Sequence, residues 1–236
     1  MNKCQLLQQR FDLKQLIISL DGNHIRIKAP PNMLLAVADA DGPFLSVDIG
    51  EYGRNSDGRV LKESSFGKAL FRDQLQLPEP APLPGEESVF PFYFVADEAF
   101  PLSCNIMKPY PRRQLTNERR IFNYRLSRGR KSVECAFGML TSKFRLLETP
   151  IGCDVSKFDS IILAVCVLHN FIRNNDGVFG NPIVHHIVEN SPKKAPSNSG
   201  NRQRPANTPL DLRNRLFKFF LHPNGSLPYQ NKHCVE

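Results

Sequence analysis

The apolar residues of this 236-residue chain repeat with two different periods, and the order in which those periods occur limits the fold class. Up to residue 50 the spacing is that of strands. His24-Ile25-Arg26-Ile27-Lys28 alternates polar and apolar, after apolar Ile17, Ile18 and Leu20 and the pair Asp21-Gly22. Period two marks a half-buried strand, and Pro30-Pro31 ends it. Leu34–Ala38 is a short apolar strand that runs into a turn signal, Asp39-Ala40-Asp41-Gly42, and Phe44–Gly50 is the return strand of a hairpin. Arg54-Asn55-Ser56-Asp57 then offers helix N-cap residues ahead of a helical stretch, Val60–Phe71. Residues 76–91, rich in Pro, Glu and Gly, are expected to form a surface loop, and Phe92–Ala96 a buried strand ending at Asp97-Glu98. Beyond Thr116 the period changes. Ile121, Phe122, Leu126, Val133, Phe137, Leu140 and Phe144 recur at steps of three and four, which predicts a long helix capped by Thr116, running towards Leu147 and bent at Gly129. Ser156–Asn174 forms a second helix, apolar nearly all round at its centre and so expected to be deeply buried. Three antiparallel strands, a helix crossover, another strand and two helices make an α/β fold with a mixed sheet.

A chain of this length can bury one sizeable core, or one core plus a small appendage. Its longest strongly apolar run, Ile161–Leu168, is far too short to span a bilayer. Lys3, Arg10, Asp12 and Lys14 interrupt any signal-peptide pattern at the N-terminus. The six cysteines are scattered without CxxC spacing, which argues for ordinary thiols in a reducing compartment and against a zinc knuckle. Charge is uneven. Residues 1–100 carry 10 basic and 14 acidic side chains, residues 101–236 carry 21 and 9. Residues 108–145 hold 11 Lys or Arg against only Glu118 and Glu134. Arg112, Arg113, Arg119, Arg120, Arg130 and Lys131 fall in this stretch. A polyanionic partner accounts for such a cluster, and so does a solvated basic face.

Four acids stand where elements begin or end: Asp21 in the first strand segment, Asp57 at a helix start, Asp97 at a strand end and Glu134 on the long basic helix. Strand ends and helix starts of an α/β sheet converge on one edge, so carboxylates distant in sequence can meet there. Phosphodiester hydrolysis needs charge neutralised on the attacking and leaving oxygens, which two divalent cations roughly 3.5–4 Å apart provide. Hard cations prefer carboxylate and water oxygens. Each acid also has a plainer explanation: a turn at Asp21-Gly22, a helix cap at Asp57, a solvated loop at Asp97-Glu98, a helix salt bridge from Glu134 to Arg130 or Lys131. Asp39 and Asp41 fit the hairpin turn. Composition and spacing alone support a basic α/β domain.

Longer strings carry more. Leu20 to Pro31 (LDGNHIRIKAPP) resembles the DGxHIxIxAP segment of PIF/Harbinger-type transposases and their domesticated nuclease relatives. Leu34–Gly50 followed by Gly53 to Val60 is similar to that family's second and third strands and its SDxxV helix start. Val95 to Leu102 resembles its (G/A)DxAYPL strand end, Asn123 to Gly138 its NxxxSxxRxxVExxFG helix, and Cys166 to Phe171 its CxLHN helix. The matches run in family order over roughly residues 15–175. The resemblance implies an RNase H-like fold and a DDE-type site with Asp21, Asp97 and Glu134 as catalytic triad and Asp57 as a further metal ligand. Asp39 is the rival for the first position. It also implies Mg²⁺ or Mn²⁺ as cofactor, DNA as substrate, a separate Myb-like DNA-binding protein as partner, and the nucleus as location. His169, on a buried helix, is expected to be structural.

The chain departs from the family pattern at one place. Asn32-Met33 runs directly into Leu34, where relatives carry a segment with a Tyr-Lys-Gly-like element. That deletion is expected to shorten the second strand or strain its link to the first. The expected organisation is an N-terminal remnant (1–14), a nuclease domain (15–175), a flexible linker (176–208), and a basic helix with a tail (209–236). Two functions remain open: a metal-dependent DNA endonuclease of transposase origin, and a catalytically impaired DNA- or chromatin-associated protein that keeps the fold.

Overall fold

A computed structural model of the chain describes residues 18–25, 32–50, 56–175 and 208–233. The expected N-terminal remnant (1–14), the Pro30-Pro31 stop and the linker up to residue 207 lie outside the described residues. Strands β1 (Ile18–Ile25), β2 (Asn32–Ala38) and β3 (Phe44–Gly50) are followed by helices α1 (Asp57–Glu63) and α2 (Ser65–Phe71). Four two-residue strands come next: β4 (Ala81–Pro82), β5 (Val89–Phe90), β6 (Phe94–Val95) and β7 (Ile106–Met107). Helices α3 (Asn117–Lys143), α4 (Val155–Asn175) and α5 (Pro209–Leu221) complete the chain.

The main sheet has the order β3-β2-β1-β6-β7. Strands β1 to β3 pair antiparallel, while β6 and β7 run parallel to β1. Three meandering strands, a helical crossover and two parallel strands on the far side of β1 form an RNase H-like mixed sheet flanked by helices. The Asn32-Met33-Leu34 junction lies inside β2, which pairs with β1 from Asn32 to Ala38 and with β3 from Met33 to Ala38. Strand β2 is therefore seven residues long despite the deletion.

Strand β2 explains why the run around LLAVA is apolar throughout. Side chains alternate across a strand, so Leu34, Ala36 and Ala38 enter one core while Met33, Leu35 and Val37 enter another. The first core is closed by Val133, Ala136, Phe137 and Leu140 of α3 and by Phe158, Ile162, Val165 and Cys166 of α4. The second is closed by Val60 and Leu61 of α1, Phe66 and Leu70 of α2, and Leu20, Phe94 and Ile106 of the sheet. Burying each such side chain stabilises by about 1.5–3 kcal/mol, so the sheet needs a helical layer on each face. A third cluster joins Phe122 and Leu126 of α3 to Leu212, Leu216, Phe219 and Phe220 of α5. The C-terminal helix is thus packed into the body. Its start is fixed by Pro209 in the first turn and a reciprocal capping box between Thr208 and Asp211.

Several local expectations are revised. The stretch Val60–Phe71 is two helices, because Ser64 is extended (φ −63°, ψ 153°) and its hydroxyl accepts a hydrogen bond from Gly67 N, starting a new helix. The expected loop 76–91 contains the β4–β5 ladder, and β7 is a strand that periodicity did not reveal, since two residues carry no period. Helix α3 begins at its expected cap, Thr116, whose side chain accepts from Arg119 N, and ends at Lys143. Helix α4 is not buried all round. Leu163, Val167, Leu168 and Phe171 are exposed, Phe171 to 62%, because among the described residues no layer covers that face.

The Leu-His-Asn segment of α4 holds the β2–β3 hairpin. Asn170 Oδ1 accepts from Phe44 N at 2.8 Å while its Nδ2 donates to Phe44 O at 2.8 Å. His169 Nε2 lies 3.1 Å from Gly42 O, and Arg173 Nη2 donates to Asp41 O. Burial pushes the His169 pKa down, as expected for a neutral ring serving a structural contact.

Candidate metal centre

Strand register explains the first two acids. Strands β1 and β6 are parallel, with Ile18 opposite Phe94 and Ser19 opposite Val95. Asp21 and Asp97 each follow two residues beyond the Ser19–Val95 pair, so they stand level, on the face that Ser19 presents to α3. Asp21 lies within β1, opposite Ala36 of β2, and Gly22 is a mid-strand residue there. No turn forms at Asp21-Gly22. A Cβ on Gly22 would meet Met33 Cε at 2.2 Å, a contact the flexible end of that side chain can relieve, and would stand 3.6 Å from Asp57 Oδ1.

Asp57 is the first residue of α1, and Ser56 holds the cap position. Helix α1 comes close to the loop after Asp97, because a Cβ on Gly58 would meet Ala99 O at 2.8 Å. That loop is pinned. Asp97 Oδ1 accepts from Ala99 N at 2.8 Å, and Lys108 Nζ donates to Glu98 O at 2.7 Å and Phe100 O at 2.9 Å. One carboxylate oxygen of each of Asp21, Asp57 and Asp97 lies within 4.8 Å of the others. Opposite ligands of a cation with metal–oxygen distances near 2.1 Å stand about 4.2 Å apart. Small side-chain rotations therefore close this triad on a divalent ion, and three carboxylates are the donor type such an ion prefers.

Glu134 stands next to the cluster, outside the 4.8 Å group. It is 46% exposed and pairs with Arg130 one turn earlier, Oε1 to Nη2 at 2.8 Å. Arg130 Nη1 also lies 3.4 Å from Asp21 Oδ2. The helix carrying both is locked to β1 by two hydroxyls that sequence reasoning missed. Ser19 Oγ and Ser132 Oγ are 2.6 Å apart, and Val133 N donates to Ser19 Oγ at 3.1 Å. Both serines are buried. This contact sits two residues before Asp21 on the strand and two before Glu134 on the helix, so it sets their relative position. A small polar residue inside an otherwise apolar stretch was the available signal.

Burial raises the Asp21 pKa from 3.8 to about 6. The Arg130 guanidinium and the Gly22 N–H, 3.0 Å from Asp21 Oδ1, oppose the shift, while the negative charges of Asp97 and Glu134 add to it. Asp39, the rival first acid, is buried at the hairpin, with its N bonded to Pro43 O and its O to Gly42 N, and it is not part of the triad.

The basic residues divide by position. Arg112 and Arg113 are exposed on a 3₁₀ turn just before α3, and Arg120 and Lys131 are exposed on α3 itself. Steps from Arg120 of about three turns to Lys131 and about four to Glu134 put all three on one side of the helix. Arg119 lies over the Tyr110 ring at 4.8 Å, and Arg130 is engaged with the acids.

Comparison with known proteins agrees with this geometry. The chain is 32% identical over 140 residues to "Protein ALP1-like" of Arabidopsis thaliana, covering 59% of this chain and 34% of that protein. The chain thus spans about a third of that relative's length. No solved structure matches it. The family described as "DDE superfamily endonuclease" matches residues 33–170, a range holding Asp57, Asp97 and Glu134, with Asp21 just ahead of it. With more than half its length matched in this way and an RNase H-like sheet bringing three aspartates together, the chain belongs to the DDE superfamily endonuclease family.

Proposed function

We propose that this chain is the core of a DNA endonuclease of transposase origin, working with Mg²⁺ or Mn²⁺ held by Asp21, Asp57 and Asp97, with Glu134 completing the site. The observation that carries this is the meeting of three aspartates from β1, α1 and the β6 end within 4.8 Å, inside the fold of that family. A divalent cation bound there would activate a water and neutralise charge building on the phosphodiester oxygens. The protein's part is to hold the carboxylates level and close together and to seat the DNA backbone. Arg112, Arg113, Arg120 and Lys131, with Arg119 and Arg130 nearby, form a cationic run leading along α3 to the acids, and phosphate contacts of this kind position DNA without reading bases. Acting on chromosomal DNA would place the protein in the nucleus.

The test is plasmid nicking in Mg²⁺ or Mn²⁺ by the parent, Asp97→Asn and Glu134→Ala. Loss of at least a hundredfold in each variant is expected, and equal activity in parent and variants rejects the assigned site. A second reading, a DNA-associated protein without hydrolysis, is favoured by one observation: Glu134 is paired with Arg130 and outside the triad. Under it the chain binds duplex DNA with a steep salt dependence and never nicks it.

A further inference from the structure

We infer that Arg130 is a positioning residue that bridges Asp21 and Glu134, holds the Glu134 carboxylate back from the aspartate cluster and competes with a divalent cation for both acids. This rests on the metal centre proposed above and adds a residue to it. The guanidinium reaches two acids at once, Glu134 at 2.8 Å and Asp21 at 3.4 Å, and is itself only 25% exposed. An ordinary i,i+4 pair on a helix surface contributes a few tenths of a kcal/mol. Arg130 differs because its second partner lies on β1 and is 14% exposed. Its guanidinium, in contact with both acids, therefore offsets part of the negative charge that a cation would offset there.

The consequence is an order of events. The three aspartates would hold a first ion after small side-chain rotations, without Glu134. For Glu134 to join as a ligand, its bond to Arg130 must open, and the guanidinium must leave Asp21 or be repelled by the incoming charge. The released Arg130 stays beside the site, where it can meet the phosphate of a DNA strand. Arg130 thus lowers the affinity of the site for metal, and DNA that engages its guanidinium relieves that competition.

Calorimetric titration with Mn²⁺ and the paramagnetic spectrum of bound Mn²⁺ test this on the full chain without reference to cleavage. Parent, Arg130→Met, Glu134→Gln, Asp97→Asn and the Arg130→Met/Glu134→Gln double variant are compared. Asp97→Asn should lose Mn²⁺ binding; if parent and Asp97→Asn bind alike, the metal centre itself is wrong. Arg130→Met should bind Mn²⁺ about tenfold more tightly than the parent, as removal of a close positive charge requires. The double variant should lose part of that gain, the part that comes from the freed Glu134. Arg130→Lys keeps the charge and cannot span both acids, so it should bind Mn²⁺ between the parent and Arg130→Met, and it serves if Arg130→Met does not fold. With Asp97→Asn impaired, equal or weaker Mn²⁺ binding by Arg130→Met and Arg130→Lys overturns the role of Arg130 and leaves the aspartate site standing.

Discussion

Replacing Asp21 by asparagine should make the protein more stable at neutral pH while removing its metal. The magnitude follows from the carboxyl's environment. Its pKa is 3.8 in the ordinary state and about 6 in the fold, and burial is the main cause. A group whose folded pKa is raised binds more protons folded than unfolded between those two values, so stability falls as pH rises through that window. The penalty is small below about pH 4, is nearly complete above about pH 6.5, and amounts to some 2.2 units at 1.36 kcal/mol each, about 3 kcal/mol. Asparagine is neutral throughout and keeps an Oδ1 for the Gly22 N–H that Asp21 now accepts at 3.0 Å. Its amide cannot pair with Arg130, which costs something at every pH. The pH dependence is therefore the informative quantity. Urea unfolding followed by circular dichroism in EDTA should show the Asp21→Asn advantage over the parent growing by about 2–3 kcal/mol between pH 4 and pH 7.5. Added Mn²⁺ at pH 7.5 should stabilise the parent and leave the variant unchanged. A stability difference that is flat with pH, or one that moves against Asp21→Asn as pH rises, would show that Asp21 is not a desolvated carboxylate and would refute the reasoning.

Two further outcomes follow from the contacts that set the site. Ser19→Ala and Ser132→Ala should each destabilise by about 0.5–1.5 kcal/mol, because each removes the bond between two buried hydroxyls, of which Ser132 keeps Gly129 O and Ser19 keeps Val133 N, and the double variant should cost clearly less than the sum; additivity in a double-mutant cycle would show that the two hydroxyls do not interact. Gly58→Ala puts a Cβ 2.8 Å from Ala99 O, so it should cost about 1–3 kcal/mol and weaken Mn²⁺ binding by moving Asp57 from the Asp97 loop; an unchanged Mn²⁺ titration would show that α1 does not position Asp57.

The sheet was legible in the sequence where an element was long enough to show a period. Strands β1 to β3 announced themselves through runs of five to seven residues and helix α3 through its three- and four-residue repeat, and Thr116 marked the start of α3. Strand β6 was marked by the apolar run Phe92–Ala96, whereas β4, β5 and β7 are two residues each, too short for alternation, and depend on hydrogen bonds from their neighbours. Ser64 divided a helix that periodicity showed as one, since an extended residue between two helical turns leaves the apolar spacing almost intact. Helix α4 shows the reverse failure. An apolar surface all round implies burial all round only if every face has a neighbour, and composition cannot supply one. At the site, the acids were recognisable from local strings, whereas what brings them together was not. Gly22 looked like half of a turn and is a mid-strand residue facing the end of Met33. Ser19 looked like any strand serine and is the bond to α3, a role that depends on a partner more than a hundred residues away.

The contacts around the acids separate two properties that usually move together. Ser19 with Ser132, Lys108 on the Glu98 and Phe100 carbonyls, and Gly58 against Ala99 O fix four backbone segments without using a metal ligand, while Asp97 adds only its bond to Ala99 N. The aspartates are consequently held close although their charges oppose it, and Asp21 carries a raised pKa that comes first from burial, with the charges of Asp97 and Glu134 adding to it. Arg130 relieves part of it and a cation would relieve more. Substitutions in the contacts should then lower stability and metal affinity together. Removing the Asp21 charge should raise stability and lower metal affinity. A surface cluster of acids with no function would give neither pattern, because mobile exposed carboxylates relax away from one another at almost no cost. Opposite signs of stability change for Ser19→Ala and Asp21→Asn, measured at one neutral pH, are therefore the signature of a site built for a cation.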